Sequence, residues 1–234
     1  MPKSSSTPRW IESAQRLARR LTTPAWFGTL HRTSPLSRTW GYDRGLPIDR
    51  HYIDRFISSR AGDIRDLVLE VGDTRYGSRY APRSSEIHTI DVDAAKSPVI
   101  RADLCDLEAL PRERYQCFLC AQTLQYVRDP LLALAGAHRM LRSGGVFLGT
   151  VPALAAIDPG ARAHDRWRFT VSQTERWLRE VFGADSEISV TPMGNVLAAC
   201  GALMGLARQD LGEGVLDEVD PDYPVILCLR AVKR

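Results

Sequence analysis

Four polar residues stand at or just beyond the ends of four consecutive apolar runs. Leu67-Val68-Leu69-Glu70-Val71 reads as a buried strand that closes on an acid and enters the turn Gly72-Asp73-Thr74-Arg75-Tyr76-Gly77. Some twenty residues on, a second strand over 86–92 ends around Asp91, with Asp93 close behind. Val99-Ile100 is a short third strand, followed by Ala102-Asp103-Leu104, and 115–121 is a fourth that continues into Gln122-Thr123-Leu124-Gln125-Tyr126-Val127. A strand entering a glycine turn brings backbone N–H groups to a ligand at the switch point of an open sheet. A carboxylate at Asp91 can accept both hydroxyls of a ribose. Asp103 suits an adenine amino group and Leu104 the ring. Each signal is weak alone, but the C-terminal ends of consecutive strands converge on one crevice.

The elements that must position these groups follow from periodicity. A helix is predicted over 130–141, with Leu131, Leu134, Ala135, His138 and Leu141 at helical spacing and Ser143-Gly144-Gly145 as its stop. A fifth strand covers 146–151. A helix over 172–182 opens on a Ser-x-x-Glu capping box, Ser172 and Glu175. A sixth strand is expected over 186–191, a helix over 195–211 and a seventh strand over 224–232. Alternating strands and helices of this length imply an α/β chain with a Rossmann-like, seven-stranded, mostly parallel sheet and helices on both faces. Ahead of it, Ile11, Ala14, Leu17, Ala18 and Leu21 mark one face of a short Arg-rich helix that Thr22-Thr23-Pro24 ends. Residues 1–58 are therefore expected to be an N-terminal helical extension and lid, and 59–234 the ligand-binding domain. The extension is either a helix packed on the domain with a solvated Arg face, or a transit or membrane-surface element; Trp26, Phe27, Leu30, Leu36 and Trp40 suggest that it docks.

Composition narrows the function. With 234 residues, 44% hydrophobic and 25% charged, the chain is neither disordered throughout nor a disulfide scaffold. It contains no run of 18 apolar residues, and its N-terminus lacks the apolar core of a secretory signal. A cytoplasmic protein without an integral membrane segment is expected. The net charge of +3 hides a split, the first forty residues carrying +6 and the remainder −3, so the folded body is no nucleic-acid platform. Cys117 and Cys120 have CxxC spacing, but they sit in a strand, where residues three apart face opposite sides. With no second pair and no nearby His, no metal is expected there. His138 is expected to be a packed or surface histidine and Arg139 structural. The apolar 196–206 segment is either core or a subunit contact, which leaves a homodimer open.

On these residues the chain resembles the class I S-adenosylmethionine-dependent methyltransferases. The pieces are Leu69-Glu70-Val71-Gly72, Thr89-Ile90-Asp91-Val92-Asp93, Ala102-Asp103-Leu104, the stretch 121–127 and His138-Arg139-Met140-Leu141-Arg142-Ser143-Gly144-Gly145. Beyond them, residues 40–50 and Trp167-Arg168-Phe169-Thr170 resemble a subgroup found beside glycosyltransferases in surface-glycan and secondary-metabolite pathways. The resemblance implies S-adenosyl-L-methionine as cofactor. Glu70, with the Gly72 turn and Asp73, would meet its methionine half and ribose. Asp91, with Asp93 as either a second contact or a turn-former, would bind the ribose hydroxyls. Asp103 and Leu104 would frame the adenine, with Gln122 and Thr123 beneath the sulfonium. The usual turn carries two further glycines, and Thr74 and Tyr76 stand in their places, so the cradle must be rebuilt, with the Tyr76 ring a candidate wall. Gln116 replaces an acid often found before the fourth strand.

An oxygen acceptor profits from a general base. His164 and Asp165, on the loop after the fifth strand, are the expected pair. Residues 41–53 form the expected lid, with Arg44, Arg50, His51 and Tyr52 available for the cofactor carboxylate or the acceptor. Tyr126 and Trp167 are the remaining candidates for the substrate side, Trp167 and Phe169 being either core or pocket wall. The leading expectation is a methyltransferase acting on a small molecule, at a hydroxyl of a sugar or glycosylated metabolite. The alternative is a non-catalytic S-adenosylmethionine-binding or scaffold protein with a degenerate glycine turn.

Overall fold

The structure is a computed structural model that describes Gly28 and residues 32–234. Leu36–Arg234 form one compact unit. The helix expected over residues 11–21, with Trp26, Phe27 and Leu30, lies outside the described residues.

Seven strands, β1 (Leu67–Val71), β2 (Glu86–Asp91), β3 (Ile100–Arg101), β4 (Tyr115–Ala121), β5 (Leu141–Pro152), β6 (Ile188–Met193) and β7 (Ile226–Val232), form one sheet of order β3-β2-β1-β4-β5-β7-β6. β1 to β5 are parallel; β7 runs antiparallel to both β5 and β6. The order reverses between β1 and β4, which puts the switch point where the polar strand ends meet. β4 is buried along six of its seven residues, as a strand covered on both faces must be.

The two core layers explain the CxxC spacing. On one face Leu69, Phe118, Cys120 and Phe147 pack under α3 (Pro130–Met140) and α4 (Val171–Phe182). On the other, Val68, Cys117, Leu119 and Leu148 pack under α1 (Ile48–Ser59) and α5 (Val196–Met204). α2 (Arg75–Tyr80) follows the β1 turn on this second side, with Tyr76 in the same layer. Cys117 and Cys120 thus point to opposite layers, where burial raises both thiols, Cys120 to about 12. His138 packs edge-on to Phe182 at 5.1 Å, and Arg139 donates to the Leu110 carbonyl.

Several local readings shift. Residues 36–58 belong to the same compact unit as the sheet. α1 in particular is a core helix, burying Ile48, Tyr52, Ile53, Phe56 and Ile57. β5 begins at Leu141, fully buried and paired to Tyr115, so Ser143-Gly144-Gly145 interrupts an extended strand and does not follow a helix stop. The Ser172–Glu175 capping box does not form. α4 opens one residue earlier, Thr174 bonds back to the Thr170 carbonyl, and Glu175 pairs with Arg179. The 195–211 helix stops at Met204, where Gly205 turns left-handed at φ +71°. It turns Ala198, Ala199 and Gly201 inward and leaves Val196, Leu197 and Leu203 exposed.

Candidate active site

Ladder pairing and its extensions bring the strand tips together. Past β1, Gly72 N–H donates to the Ile90 carbonyl at 3.0 Å; past β3, Ala102 N–H donates to the Asp91 carbonyl at 3.2 Å; past β4, Gln122 N–H donates to the Thr150 carbonyl at 2.8 Å. Gly72 adopts φ +86°, a backbone state that a side chain would strain. A Cβ there would meet nothing nearer than Asp91 Oδ2 at 3.7 Å, so the turn keeps an open outer face.

The two acids of this tip have different partners. Glu70, 3% exposed, accepts from the N–H groups of Tyr76 (2.9 Å) and Gly77 (2.7 Å) and so closes the start of α2. A side chain at Gly77 would place its Cβ 3.0 Å from that carboxylate, so this glycine permits the contact. Burial outweighs the two amides and lifts Glu70 to about 7. Glu70 therefore rebuilds the glycine-poor turn from within. Asp91 points outward: one oxygen accepts from Asp93 N–H at 2.9 Å and the other pairs with Lys96 at 2.7 Å. Although burial works against it, Lys96 and the backbone N–H groups hold its pKa below the usual carboxylate range. Asp93 is the turn-former, accepting from Ala95 N–H. Asp73 accepts from Arg75 N–H, Asp103 from Cys105 N–H, and Thr123 donates to the Ala121 carbonyl.

Beside the β4 tip lies a cleft of about 260 Å³ lined by Arg50, Gln122, Tyr126 and Asp165 from the expected set. Trp40, Tyr42, Asp49, Gln125, Asp158 and Arg168 complete its polar and aromatic walls. None of these six was singled out by its spacing. Asp49, Gln125 and Arg168 each adjoin a residue that was, and Trp40, Tyr42 and Asp158 come from segments that meet only in the fold. Gln122 sits at φ +51°, and Gln125 donates to its carbonyl at 2.9 Å, leaving Gln125 Oε1 buried without a donor. Tyr126 donates to Asp158 at 3.1 Å.

Several expected site residues are committed to other partners or placed elsewhere. Asp165 holds Arg168 at 2.5 Å and accepts from Asp158 N–H, and Arg168 keeps its pKa below the usual range; it ties down a loop and is a poor base. His164 is exposed and does not line the cleft. Tyr76 is 4% exposed within the core, its hydroxyl meeting Arg50, so its ring is not a cradle wall. Leu104 is buried in the core opposite α1. Arg44 is bound twice to Asp210. His51 lines a separate cavity with Arg208 and Asp217, and Tyr52 is fully buried. Trp167 donates to the Val127 carbonyl and packs edge-on to Trp177. Gln116 binds Arg142 and the Gly144 carbonyl near the opposite end of the sheet, so its identity leaves the strand tips untouched.

Residues 61–149, from the approach to β1 through most of β5, match the family described as methyltransferase domain. The match covers less than half of the chain. The resemblance implies S-adenosyl-L-methionine as methyl donor. The fold is shared with solved structures of S-adenosylmethionine-dependent methyltransferases. One from Mesorhizobium loti is 18% identical with a TM-score of 0.53, covering 82% of this chain and all of its own. Another from Archaeoglobus fulgidus is 13% identical with a TM-score of 0.50, covering 79% of this chain and 90% of its own. No curated protein matches the chain. The residues present fit the donor: an outward acid at Asp91 suits the ribose hydroxyls, the open Gly72 turn permits close approach, and Arg50 Nε is a buried donor without a partner. No helix among the described residues is long and apolar enough to cross a membrane.

Proposed function

We propose that this chain is an S-adenosylmethionine-dependent methyltransferase that acts on a small molecule, at a hydroxyl of a sugar or glycosylated metabolite. The observation that carries the reading is Gln125 Oε1, an acceptor buried at the cleft without a donor. A buried acceptor left unpaired costs about 1–3 kcal/mol, which an acceptor O–H would recover. Trp40, Tyr42 and Tyr126 offer aromatic faces for the C–H surfaces of a sugar ring, beside the Asp158 carboxylate. The resemblance of residues 40–50 and 167–170 to the glycosyltransferase-associated subgroup supports the same class.

When bound, S-adenosylmethionine supplies an electrophilic methyl group on a sulfonium. The chain must orient the acceptor and exclude water. In this reading Gln125 accepts from a neighbouring hydroxyl of the acceptor molecule, and Asp158, beside Tyr126, replaces His164 and Asp165 as the carboxylate that takes the proton of the hydroxyl being methylated. The non-catalytic reading is not favoured, because Glu70 and Gly77 close the altered turn while Gly72 stays open.

Radiolabelled methyl transfer to a panel of glycosides, amines and carboxylic acids tests the proposal. Labelled methyl ethers of glycosides are expected, with Asp158→Asn lowering turnover about 100-fold or more. Transfer confined to nitrogen or carboxylate acceptors would overturn it.

A further inference from the structure

We propose that the first turn of α1 grips the amino-acid end of the donor, Asp49 taking its ammonium and Arg50 its carboxylate. This rests on the reading of the crevice as an S-adenosylmethionine site and adds a subsite from outside the matched region, which starts at residue 61.

Asp49 and Arg50 set opposite charges side by side in the wall that Gln122 shares at the β4 tip. They do not satisfy each other: Arg50 Nε stands 3.8 Å from Asp49 Oδ2, beyond hydrogen-bond length, and has no other partner although it is buried. The remaining contacts hold the pair in place. Asp49 Oδ1 accepts from Arg50 N–H at 2.8 Å, and Arg50 Nη1 reaches the Tyr76 hydroxyl at 3.4 Å. Tyr76 occupies the place of the third glycine, so one of the two residues that depart from the usual turn is the one that meets the arginine.

Glu70 is badly placed for the ammonium, since it is only 3% exposed and its oxygens face the N–H groups of Tyr76 and Gly77. An amino-acid zwitterion needs one cationic and one anionic partner at short separation, and this pair supplies both. Burial raises the Asp49 pKa despite Arg50, as expected of a carboxylate short of a cation.

The test compares two ligands that share adenosine and a thioether, S-adenosylhomocysteine, which keeps the amino acid, and 5′-methylthioadenosine, which lacks it. Both are titrated calorimetrically into the full chain and its Asp49→Asn and Arg50→Met variants. Each variant is expected to lose about 10- to 100-fold in affinity for S-adenosylhomocysteine. Affinity for 5′-methylthioadenosine should stay within about 2-fold, which also reports that the variant is folded. Unchanged affinity for S-adenosylhomocysteine, or equal loss for both ligands, would overturn the assignment. A wild-type chain that binds neither ligand would bring down the donor-site reading itself.

Discussion

The strand tips and the wall of the cleft beside them are built under different constraints. Gly72, Asp91 and Gln122 stand where parallel register and the hydrogen bonds that extend it put them. The wall draws on residues 40–50 and 152–168, which side chains hold over long sequence distances: Arg44 to Asp210, Trp167 to the Val127 carbonyl, Tyr126 to Asp158. A tip residue inherits its position from the backbone. A wall residue owes its position to whichever partner captures it, and Asp165 shows the consequence, since Arg168 turns it from a candidate base into a fastener.

The contrast can be broken or sharpened experimentally. The largest effect is expected at Ile53, fully buried in α1. If this helix is core, Ile53→Ala costs about 2–5 kcal/mol in urea unfolding; a loss below about 1 kcal/mol would restore it as a peripheral lid.

Next comes Glu70, the tip acid turned inward. Burial raises its pKa from 4.5 to about 7, so the folded chain keeps a proton that the unfolded chain releases. Its contribution is full below about pH 4.5 and falls by about 3 kcal/mol as the pH rises to about 7. The stability of wild type relative to Glu70→Gln should drop accordingly across that window. A pH-independent difference would show an ordinary carboxylate.

Asp91, the tip acid turned outward, governs binding. Asp91→Ala should weaken S-adenosylhomocysteine binding by about 1–3 kcal/mol in calorimetry; unchanged affinity would remove its ribose role. The smallest effect belongs to His164, exposed and outside the cleft lining. His164→Ala should leave turnover within about 2-fold, and a loss comparable to that of Asp158→Asn would return the histidine to the mechanism.

The turn after β1 shows how far a motif can be carried. The glycine pattern points correctly to Gly72, whose positive φ is a backbone property. It fails at Glu70 and Tyr76, because what fills the two missing glycine places depends on α2 amides and on an arginine more than twenty residues upstream. Asp49 shows the converse: no spacing singles it out, and only the packing of α1 against the sheet turns it toward Gln122.

Local hydrophobic periodicity, acting over a few residues, was enough to determine seven strands, three of the five helices between and around them, and the polar groups at the ends of the first four strands. Which helix is core, which acid faces outward and which loop residues wall the cleft were decided in three dimensions. Those outcomes depend on competition among distant side chains for buried donors and acceptors, and chain order does not encode who is nearest whom.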